Sequence, residues 1–363
     1  MEEMKVRDKR VSVSGNLMRD MIRNINDAVG KNPEREDELR KNPVEPAWIC
    51  PRNYEYEIIE RDNFRMEYLR PTKIFTTRVI LQLHGGGYIG PLKNIYRTYA
   101  VHYSKISYGA DVLSVDYRLA PEHPYPAALE DAVSSYKWLM EEKNYSPSQI
   151  VIAGDSAGGG LTLALCLYLK DHNMPLPAGL ILMSPWTDLT CSGESYTENR
   201  EVDPVFGNSG ENMIFHSTYI GENDPKNPYI SPAYGDLTGF PPMLIQVGSY
   251  EILESDSKII AEHAKKAHVK HRLSIYEGMF HEFQMALNLM PESKEAWKEM
   301  KEFMVKIFGI DREVAGYMVR SVGGAGDKKA SKSKTGSNLL NRSKLCWKAW
   351  KRYFRKNKLE IVD

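Results

Sequence analysis

In the middle of the chain, short strand-like runs, in which apolar residues are continuous or alternate with polar ones, are followed by longer runs with apolar residues at helical spacing. The short runs are typical of buried strands, and the longer ones are typical of helices with one apolar face. The predicted strands are Tyr54–Ile59, Arg65–Leu69, Thr77–Leu83, Asp111–Val115, Gln149–Ala153, Gly179–Met183, Met243–Val247 and His271–Tyr276. The predicted helices are Ala127–Glu142, Gly158–Lys170, Asp256–Ala267 and Lys294–Ile307. This alternation predicts an α/β fold with a mostly parallel central sheet that helices cover on both faces.

The two ends of the chain depart from this alternation. Residues 15–30 carry apolar side chains at i, i+3/i+4 and i+7 spacing, which predicts an amphipathic helix that ends near Gly30. Near the other end, a stretch rich in Gly, Ser and Lys is typical of a flexible linker. We therefore divide the chain into a helical segment 1–48, an α/β domain 49–312, a linker 313–338 and a C-terminal tail 339–363.

The tail has the pattern of a basic amphipathic helix. At helical spacing its apolar side chains fall in one arc, which contains Cys346, Trp347, Trp350, Tyr353 and Phe354. Such helices bind anionic membrane surfaces, nucleic acids or calmodulin-like partners. The same pattern also suits a helix packed on the protein body or on a partner subunit, or a tail without any partner. We expect a membrane surface as a candidate partner and no nucleic acid.

Charge is distributed unevenly along the chain. The 363 residues contain 48 Lys and Arg and 48 Asp and Glu, so the formal net charge is zero. Residues 328–363 hold 12 basic and 2 acidic residues, which leaves the other residues with a net charge of −10. The neutrality therefore comes from an acidic body and a basic appendage, and the charge of the body gives no reason to expect a nucleic acid partner.

Several other features narrow the class of protein. The four cysteines are scattered, which argues against a disulfide framework or a structural zinc site. The first twenty residues lack the apolar core of a signal peptide, and the longest apolar runs are shorter than the ~18–20 residues of a membrane span. We therefore expect a soluble, cytoplasmic protein that needs no metal and no organic cofactor.

The sharpest local motif is Gly-Asp-Ser-Ala-Gly at residues 154–158, between an apolar strand-like run and a helical run. This is the strand–turn–helix context of a nucleophile elbow, so Ser156 is the predicted nucleophile. Glycines two residues either side are expected because a Cβ there would collide where the strand and the helix cross. The alternative is a Gly-rich helix start without chemistry.

A second glycine-rich turn, His-Gly-Gly-Gly at residues 84–87, follows the strand-like run that ends at Leu83. Consecutive glycines let backbone N–H groups approach a substrate oxygen, and donors aimed at a developing oxyanion lower the barrier by ~3–4 kcal/mol each. We assign the oxyanion hole to the N–H groups of Gly86, Gly87 and Ala157. A phosphate-binding turn is the alternative, but neither GxGxxG nor GK[ST] follows.

Together with YRLAPEHPYPAAL at residues 117–129, these two motifs resemble the hormone-sensitive-lipase-like family of α/β-hydrolase carboxylesterases. The resemblance covers about residues 50–310. It implies an α/β-hydrolase fold, an esterase activity on short- to medium-chain acyl esters and a small helical cap built from the N-terminal residues 1–48. It also implies that the third motif supports the site without reacting. Members of the family often form dimers, so a homodimer stays open.

The base and the acid follow from the order Ser, acid, His along the chain. His281 lies in a loop after the last predicted strand and is the predicted base. The acid should follow the strand Met243–Val247, where many family members have Asp at the position of Glu251. We favour Glu251, with Asp256 in reserve, because Asp256 is also placed to cap the helix Ser257–Ala267.

These residues predict a serine carboxylesterase that acts through an acyl-enzyme intermediate. An amidase or deacetylase with the same triad is the first alternative. A non-catalytic small-molecule receptor of the same fold is the second, and receptors of that kind resemble the family but lose the late histidine that His281 provides here.

Overall fold

A computed structural model describes residues 3–7, 10–29, 45–207 and 213–311, all within the compact unit Met1–Val319. The described residues form nine strands. They are β1 Glu3–Arg7, β2 Tyr54–Glu60, β3 Arg65–Pro71, β4 Val79–Leu83, β5 Asp111–Asp116, β6 Ile150–Asp155, β7 Gly179–Met183, β8 Met243–Gly248 and β9 His271–Tyr276. Strands β4, β6, β7 and β8 are buried along their whole length, as continuous apolar runs require in a sheet covered on both faces.

The nine strands form one sheet in the order β1-β9-β8-β7-β6-β4-β5-β3-β2. All neighbours are parallel except β2 with β3 and β3 with β5. In the centre, Leu83 at the end of β4 pairs with Gly154 near the end of β6. Because the carboxyl ends of parallel strands meet at one edge, the loops after β4, β6, β8 and β9 lie near one another. The predicted site residues follow these four strands.

Seven α-helices accompany the sheet in the described residues. They are α1 Val13–Val29, α2 Asn94–Ile106, α3 Ala127–Glu141, α4 Ala157–Asp171, α5 Ser195–Glu198, α6 Glu254–Lys266 and α7 Pro291–Ile307. Side chains of α2 and α7 share one apolar cluster with one face of the sheet, and those of α3, α4 and α6 share another. The prediction of a mostly parallel sheet with helices on both faces is therefore confirmed.

Three elements were not predicted from the sequence: helix α2, strand β1 and the four-residue helix α5. Helix α2 buries three tyrosines, Tyr96, Tyr99 and Tyr103, at helical spacing. Aromatic residues have a modest helix propensity, so the sequence of this stretch predicts a helix only weakly. Strand β1 has only five residues and pairs in parallel with β9, which is a long-range contact that no local pattern indicates.

The N-terminal helix packs beside the loop that follows β9. Met18 and Ile22 of α1 pack against the apolar cluster that contains Met279 and Phe280. Asn26 donates a hydrogen bond to the carbonyl oxygen of Pro204 at 2.9 Å. The predicted helix is therefore present, and its role as part of a cap stays a prediction.

The predicted linker 313–338 and tail 339–363 lie outside the described residues. Among the residues that are described, no helix combines the length and the apolar character needed to cross a membrane.

Candidate active site

Ser156 lies on a sharp turn between β6 and α4. Its backbone φ is +50° and its ψ is −121°, a conformation that non-glycine residues rarely adopt. The flanking glycines make the turn sterically feasible: a Cβ on Gly158 would overlap the carbonyl oxygen of Leu83, and a Cβ on Gly154 would overlap that of Gly158. This is the geometry of a nucleophile elbow, and it presents the Ser156 hydroxyl at the N-terminus of a buried helix.

A continuous line of hydrogen bonds joins the three residues predicted as nucleophile, base and acid. His281 Nε2 lies 2.9 Å from Ser156 Oγ, and His281 Nδ1 lies 2.9 Å from Glu251 Oε2. Ser156 is 3% exposed, His281 7% and Glu251 0%. The three side chains therefore meet although 125 residues separate Ser156 from His281 in the chain.

The carboxylate of Glu251 is held on both oxygens. Oε1 accepts hydrogen bonds from Ser184 Oγ at 2.8 Å and from the Gly248 backbone N–H at 2.5 Å, while Oε2 faces His281. These contacts satisfy the hydrogen-bonding capacity of a carboxyl group that is fully buried. Glu251 can therefore hold the Nδ1–H tautomer of His281, which leaves Nε2 free to accept a proton from Ser156.

Asp256, the reserve candidate for the acid, points elsewhere. Its Oδ2 accepts hydrogen bonds from the backbone N–H groups of Thr187 at 2.6 Å and Asp188 at 2.8 Å. Burial raises the pKa of this carboxyl to about 7. The expectation that Asp256 caps a helix from Ser257 is wrong, because α6 begins at Glu254 after Leu253, and Asp256 lies inside its first turn. Asp256 instead anchors the loop that follows β7.

The glycine turn after β4 presents backbone donors beside Ser156. Gly86 and Gly87 have φ values of +105° and +64°, which favour glycine, and the turn closes where the Gly90 N–H donates to the Gly86 oxygen at 2.8 Å. Within the described residues, the N–H groups of Gly86, Gly87 and Ala157 donate to no acceptor. The Gly85 N–H is already used, because it donates to Asp155 Oδ2 at 3.0 Å. This difference favours Gly86 and Gly87 over Gly85 as oxyanion donors.

Residues of the 117–129 motif contact the glycine turn after β4 and the elements around it. Tyr117 donates a hydrogen bond from its hydroxyl to the carbonyl oxygen of His84 at 2.7 Å, and the two rings stack with centroids 4.2 Å apart. Arg118 pairs with the buried carboxylate of Asp131 at 2.7 Å. Burial lowers the pKa of His84, so this ring is neutral and structural. The motif residues thus contact the framework of the site.

Two residues that sequence reasoning missed hold the acid and base loops in place. Asp203 is buried and accepts hydrogen bonds from the N–H groups of Ile252 and Phe206, at 2.8 and 3.1 Å. The Phe206 ring in turn packs against the imidazole of His281, with centroids 4.9 Å apart. Asn199 donates from its side chain to the Glu251 carbonyl oxygen at 2.8 Å. Residues 199 and 203 belong to an irregular segment, and no local signal in the sequence distinguishes them.

Two more carboxyl groups lie near the site, the buried Asp155 and Glu282, whose side chain is 16% exposed. Sequence reasoning passed over both, although Asp155 stands inside the Gly-Asp-Ser-Ala-Gly motif. In the described part of the chain, no group of three or more His, Cys, Asp or Glu side chains is arranged to hold a metal ion.

Comparisons with known proteins identify the family of the chain. A sequence profile of the alpha/beta hydrolase fold family matches residues 80–285. An acetyl-hydrolase of Streptomyces hygroscopicus is 37% identical over 262 residues, which cover 72% of this chain and 81% of that relative. An esterase of Acinetobacter venetianus is 38% identical over 231 residues, which cover 64% and 76% of the two chains.

Solved structures give the same result. The crystal structure of an esterase from the bacterial hormone-sensitive lipase family superposes with a TM-score of 0.72 at 34% identity, covering 83% of this chain and all of that one. An esterase/lipase from an uncultured bacterium superposes with a TM-score of 0.73, also at 34% identity, over 82% of this chain. The chain therefore belongs to the α/β-hydrolase fold family, in its hormone-sensitive-lipase-like group.

Proposed function

We propose that this protein is a serine carboxylesterase that hydrolyses short- to medium-chain acyl esters through an acyl-enzyme intermediate. The observation that carries the proposal is the unbroken line from Glu251 through His281 to Ser156, with both hydrogen bonds at 2.9 Å. The N–H groups of Gly86, Gly87 and Ala157, in the turns after β4 and β6, donate to no acceptor within the described residues, which leaves them available to an oxyanion. The similarity to an acetyl-hydrolase and to esterases supports the ester substrate and a small acyl group.

In the first half of the reaction, Ser156 Oγ attacks the carbonyl carbon of the ester. His281 Nε2 takes the hydroxyl proton as the new C–O bond forms, and Glu251 stabilises the resulting imidazolium across the Nδ1–H bond. The carbonyl oxygen becomes an oxyanion that accepts hydrogen bonds from the N–H groups of Gly86, Gly87 and Ala157. His281 then gives its proton to the leaving alkoxide, and the alcohol departs.

The second half repeats these steps with water. His281 Nε2 takes a proton from a water molecule that attacks the acyl carbon, and the same backbone donors stabilise the second oxyanion. Collapse of this intermediate breaks the bond to Ser156 Oγ, which regains the proton from His281. The products are the carboxylic acid and the unmodified enzyme. Every proton in this scheme is carried by His281.

A series of p-nitrophenyl esters of increasing acyl length tests the proposal. We expect the highest kcat/KM for short acyl groups and a loss of about a millionfold in kcat for Ser156→Ala, because the nucleophile acts as a unit with its base. Ser148→Ala, at an exposed serine, is the control and should match the wild type. Esterase activity that survives in Ser156→Ala would overturn the mechanism.

The same machinery can cleave an N-acyl bond, so a matched series of p-nitroanilides separates the esterase from an amidase or deacetylase. We expect ester hydrolysis to dominate. The late histidine is present and engaged with Ser156, which disfavours a non-catalytic receptor. A homodimer, a membrane contact through the tail 339–363 and a cytoplasmic location stay predictions.

A further inference from the structure

Two carboxyl groups that the mechanism does not use meet behind the oxyanion turn. Asp155 precedes the nucleophile on β6, and Glu282 follows the base in the loop after β9. Both side chains converge on one face of Gly85: a Cβ built on this glycine would touch Asp155 Oδ2 and would lie 2.5 Å from Glu282 Oε1. Because both oxygens lie against the same point, the two carboxyl groups are near neighbours. The absence of a side chain at Gly85 therefore leaves room for the two carboxyl groups.

Asp155 receives the hydrogen bonds expected of the anionic member of such a pair. Its Oδ2 accepts from the Gly85 backbone N–H at 3.0 Å and from the Tyr96 hydroxyl at 3.1 Å, and the residue is 2% exposed. Glu282, in contrast, has a buried Oε1 to which no protein donor is assigned. Two ionised carboxylates cannot share a buried site without a large electrostatic cost, so such pairs hold a proton between them.

The surroundings of the pair favour a proton on Glu282. Burial, the charge of Asp155 and the hydrogen bond between the two carboxyls raise the pKa of Glu282 well above its usual range. The charged and titratable groups that face the pair come from four places in the chain. His281 and Glu251 belong to the two catalytic loops, and Lys93 precedes α2. The others are buried tyrosines, Tyr96, Tyr99 and Tyr103 of α2 and Tyr117 after β5. The side chain of Lys93 is exposed, so water screens its effect on the pair.

Glu282 is also close to the reacting atoms. Its Oε1 lies 3.9 Å from His281 Nε2, the atom that bonds to Ser156. Its backbone N–H donates to Ser184 Oγ at 3.3 Å, and the same hydroxyl donates to Glu251. The residue has a φ of +54°, so its backbone directs the side chain back toward the site at a conformational cost. A negative charge on Glu282 would therefore act directly on the catalytic base.

We propose that Glu282 is a positioning residue that works as a neutral acid. Its proton is donated to Asp155, and this bond ties the loop of His281 to the oxyanion turn, because Asp155 also binds the Gly85 N–H. A neutral Glu282 leaves a single negative charge in the pair. An ionised Glu282 would place a second charge beside His281 Nε2, where it would compete with Ser156 for the imidazole, favour the imidazolium and oppose the oxyanion. The proposal rests on the esterase mechanism proposed above.

A set of three variants tests the role of this proton through the dependence of kcat on pH. Glu282→Ala removes the donor, Glu282→Gln keeps a neutral donor that cannot ionise, and Glu277→Gln changes a glutamate of the same loop that lies outside the site. For the wild type and Glu277→Gln, we expect kcat to fall at alkaline pH as Glu282 loses its proton. Glu282→Ala should lose about ten- to a hundredfold in kcat at neutral pH with a smaller change in KM.

Glu282→Gln should recover most of the activity that Glu282→Ala loses, and its alkaline decline should be absent or shifted to higher pH. An alkaline decline in Glu282→Gln that matches the wild type would overturn the proposal. A Glu282→Gln variant as impaired as Glu282→Ala would also overturn it. If Glu282→Ala does not fold, the comparison of Glu282→Gln with the wild type decides alone.

The proton can also be observed without turnover. The infrared spectrum of the wild type at neutral pH should contain the carbonyl band of a buried protonated carboxyl that Glu282→Gln lacks. The absence of this difference band would contradict the proposal. If the wild type hydrolyses no ester, the esterase mechanism fails, yet the infrared measurement still tests the shared proton, so the two failures can be told apart.

Discussion

In the half of the site that carries Ser156 and the oxyanion turn, main-chain segments approach one another closely. Glycines at 154 and 158 allow strand and helix to cross, and glycines at 86 and 87 adopt positive φ. In the half that carries Glu251 and His281, hydrogen bonds to and from side chains hold the loops, at the Glu251 carboxylate among others. The two halves should therefore lose activity for different reasons. The first should be sensitive to one added carbon atom on a glycine, and the second to the exchange of a hydrogen-bond acceptor for a donor.

In the half that carries Glu251 and His281, a change at Glu251 should cause the largest loss of activity. In Glu251→Gln, the amide oxygen can still accept from Ser184 and Gly248, so the amide nitrogen must face His281 Nδ1. That arrangement selects the wrong imidazole tautomer, and we expect kcat to fall about 10⁴-fold. Steady-state kinetics on a p-nitrophenyl ester, with circular dichroism to check the fold, measure this effect.

Asp256→Asn is the matched control for Glu251→Gln, since it also neutralises a buried carboxyl of the same region. A collapse of kcat in Asp256→Asn, with Glu251→Gln still active, would reverse the assignment of the acid.

In the half that carries Ser156 and the oxyanion turn, activity should be lost when a side chain is added at Gly87. A Cβ on this residue would overlap the side chain of Met213, and its φ of +64° is strained for alanine. Displacement of its N–H from the oxyanion should lower kcat about 10²- to 10³-fold in Gly87→Ala. Gly239→Ala is the control, because Gly239 also has a positive φ, +82°, but a Cβ there would have no neighbour within 4 Å. Equal kcat losses in the two variants would show that only backbone strain matters.

The smallest effect on catalysis is expected for Asp256→Asn, with a clear effect on stability. Burial raises the folded-state pKa of Asp256 from 3.8 to about 7. The folded state thus holds this proton more tightly than the unfolded chain, and stability falls as pH rises from about 4 to about 7. Relative to Asp256→Asn, which does not titrate here, the wild type should lose up to about 4 kcal/mol over this range.

Urea denaturation of both proteins across that range measures the effect. Parallel dependence of their unfolding free energies on pH would contradict the buried titration of Asp256. The kcat of Asp256→Asn should stay within a few-fold of the wild type, because its partners Thr187 and Asp188 lie outside the line from Glu251 to Ser156.

The parts of the fold that could be predicted from sequence are those with a strong local period. The predicted bounds of the strands Gly179–Met183 and His271–Tyr276 agree with the structure. The first is a continuous apolar run that ends at Ser184, and the second is a run with alternating apolar residues that ends at Glu277 and Gly278. Helix α2 was not predicted because its buried face consists largely of tyrosines. Strand β1 was not predicted because its pairing with β9 joins residues far apart in the chain.

The site divides in a similar way. The glycines and Ser156 could be predicted because steric requirements leave few choices at each position of a tight turn. His281 and Glu251 could be placed by their order after particular strands. Asp203 and Glu282 could not, since a buried carboxyl is recognised only by the donors or the second carboxyl that the fold brings to it.

The most direct test of the account is to locate the covalent intermediate. A p-nitrophenyl alkylphosphonate mimics the ester and should transfer its phosphonyl group to the nucleophile, releasing one p-nitrophenolate per chain. We predict that peptide mass spectrometry will find the label on Ser156 and that labelling will abolish esterase activity. The Ser156→Ala variant should take up no label. A label on any other residue, or full activity in a labelled protein, would contradict the central claim that Ser156 is the nucleophile.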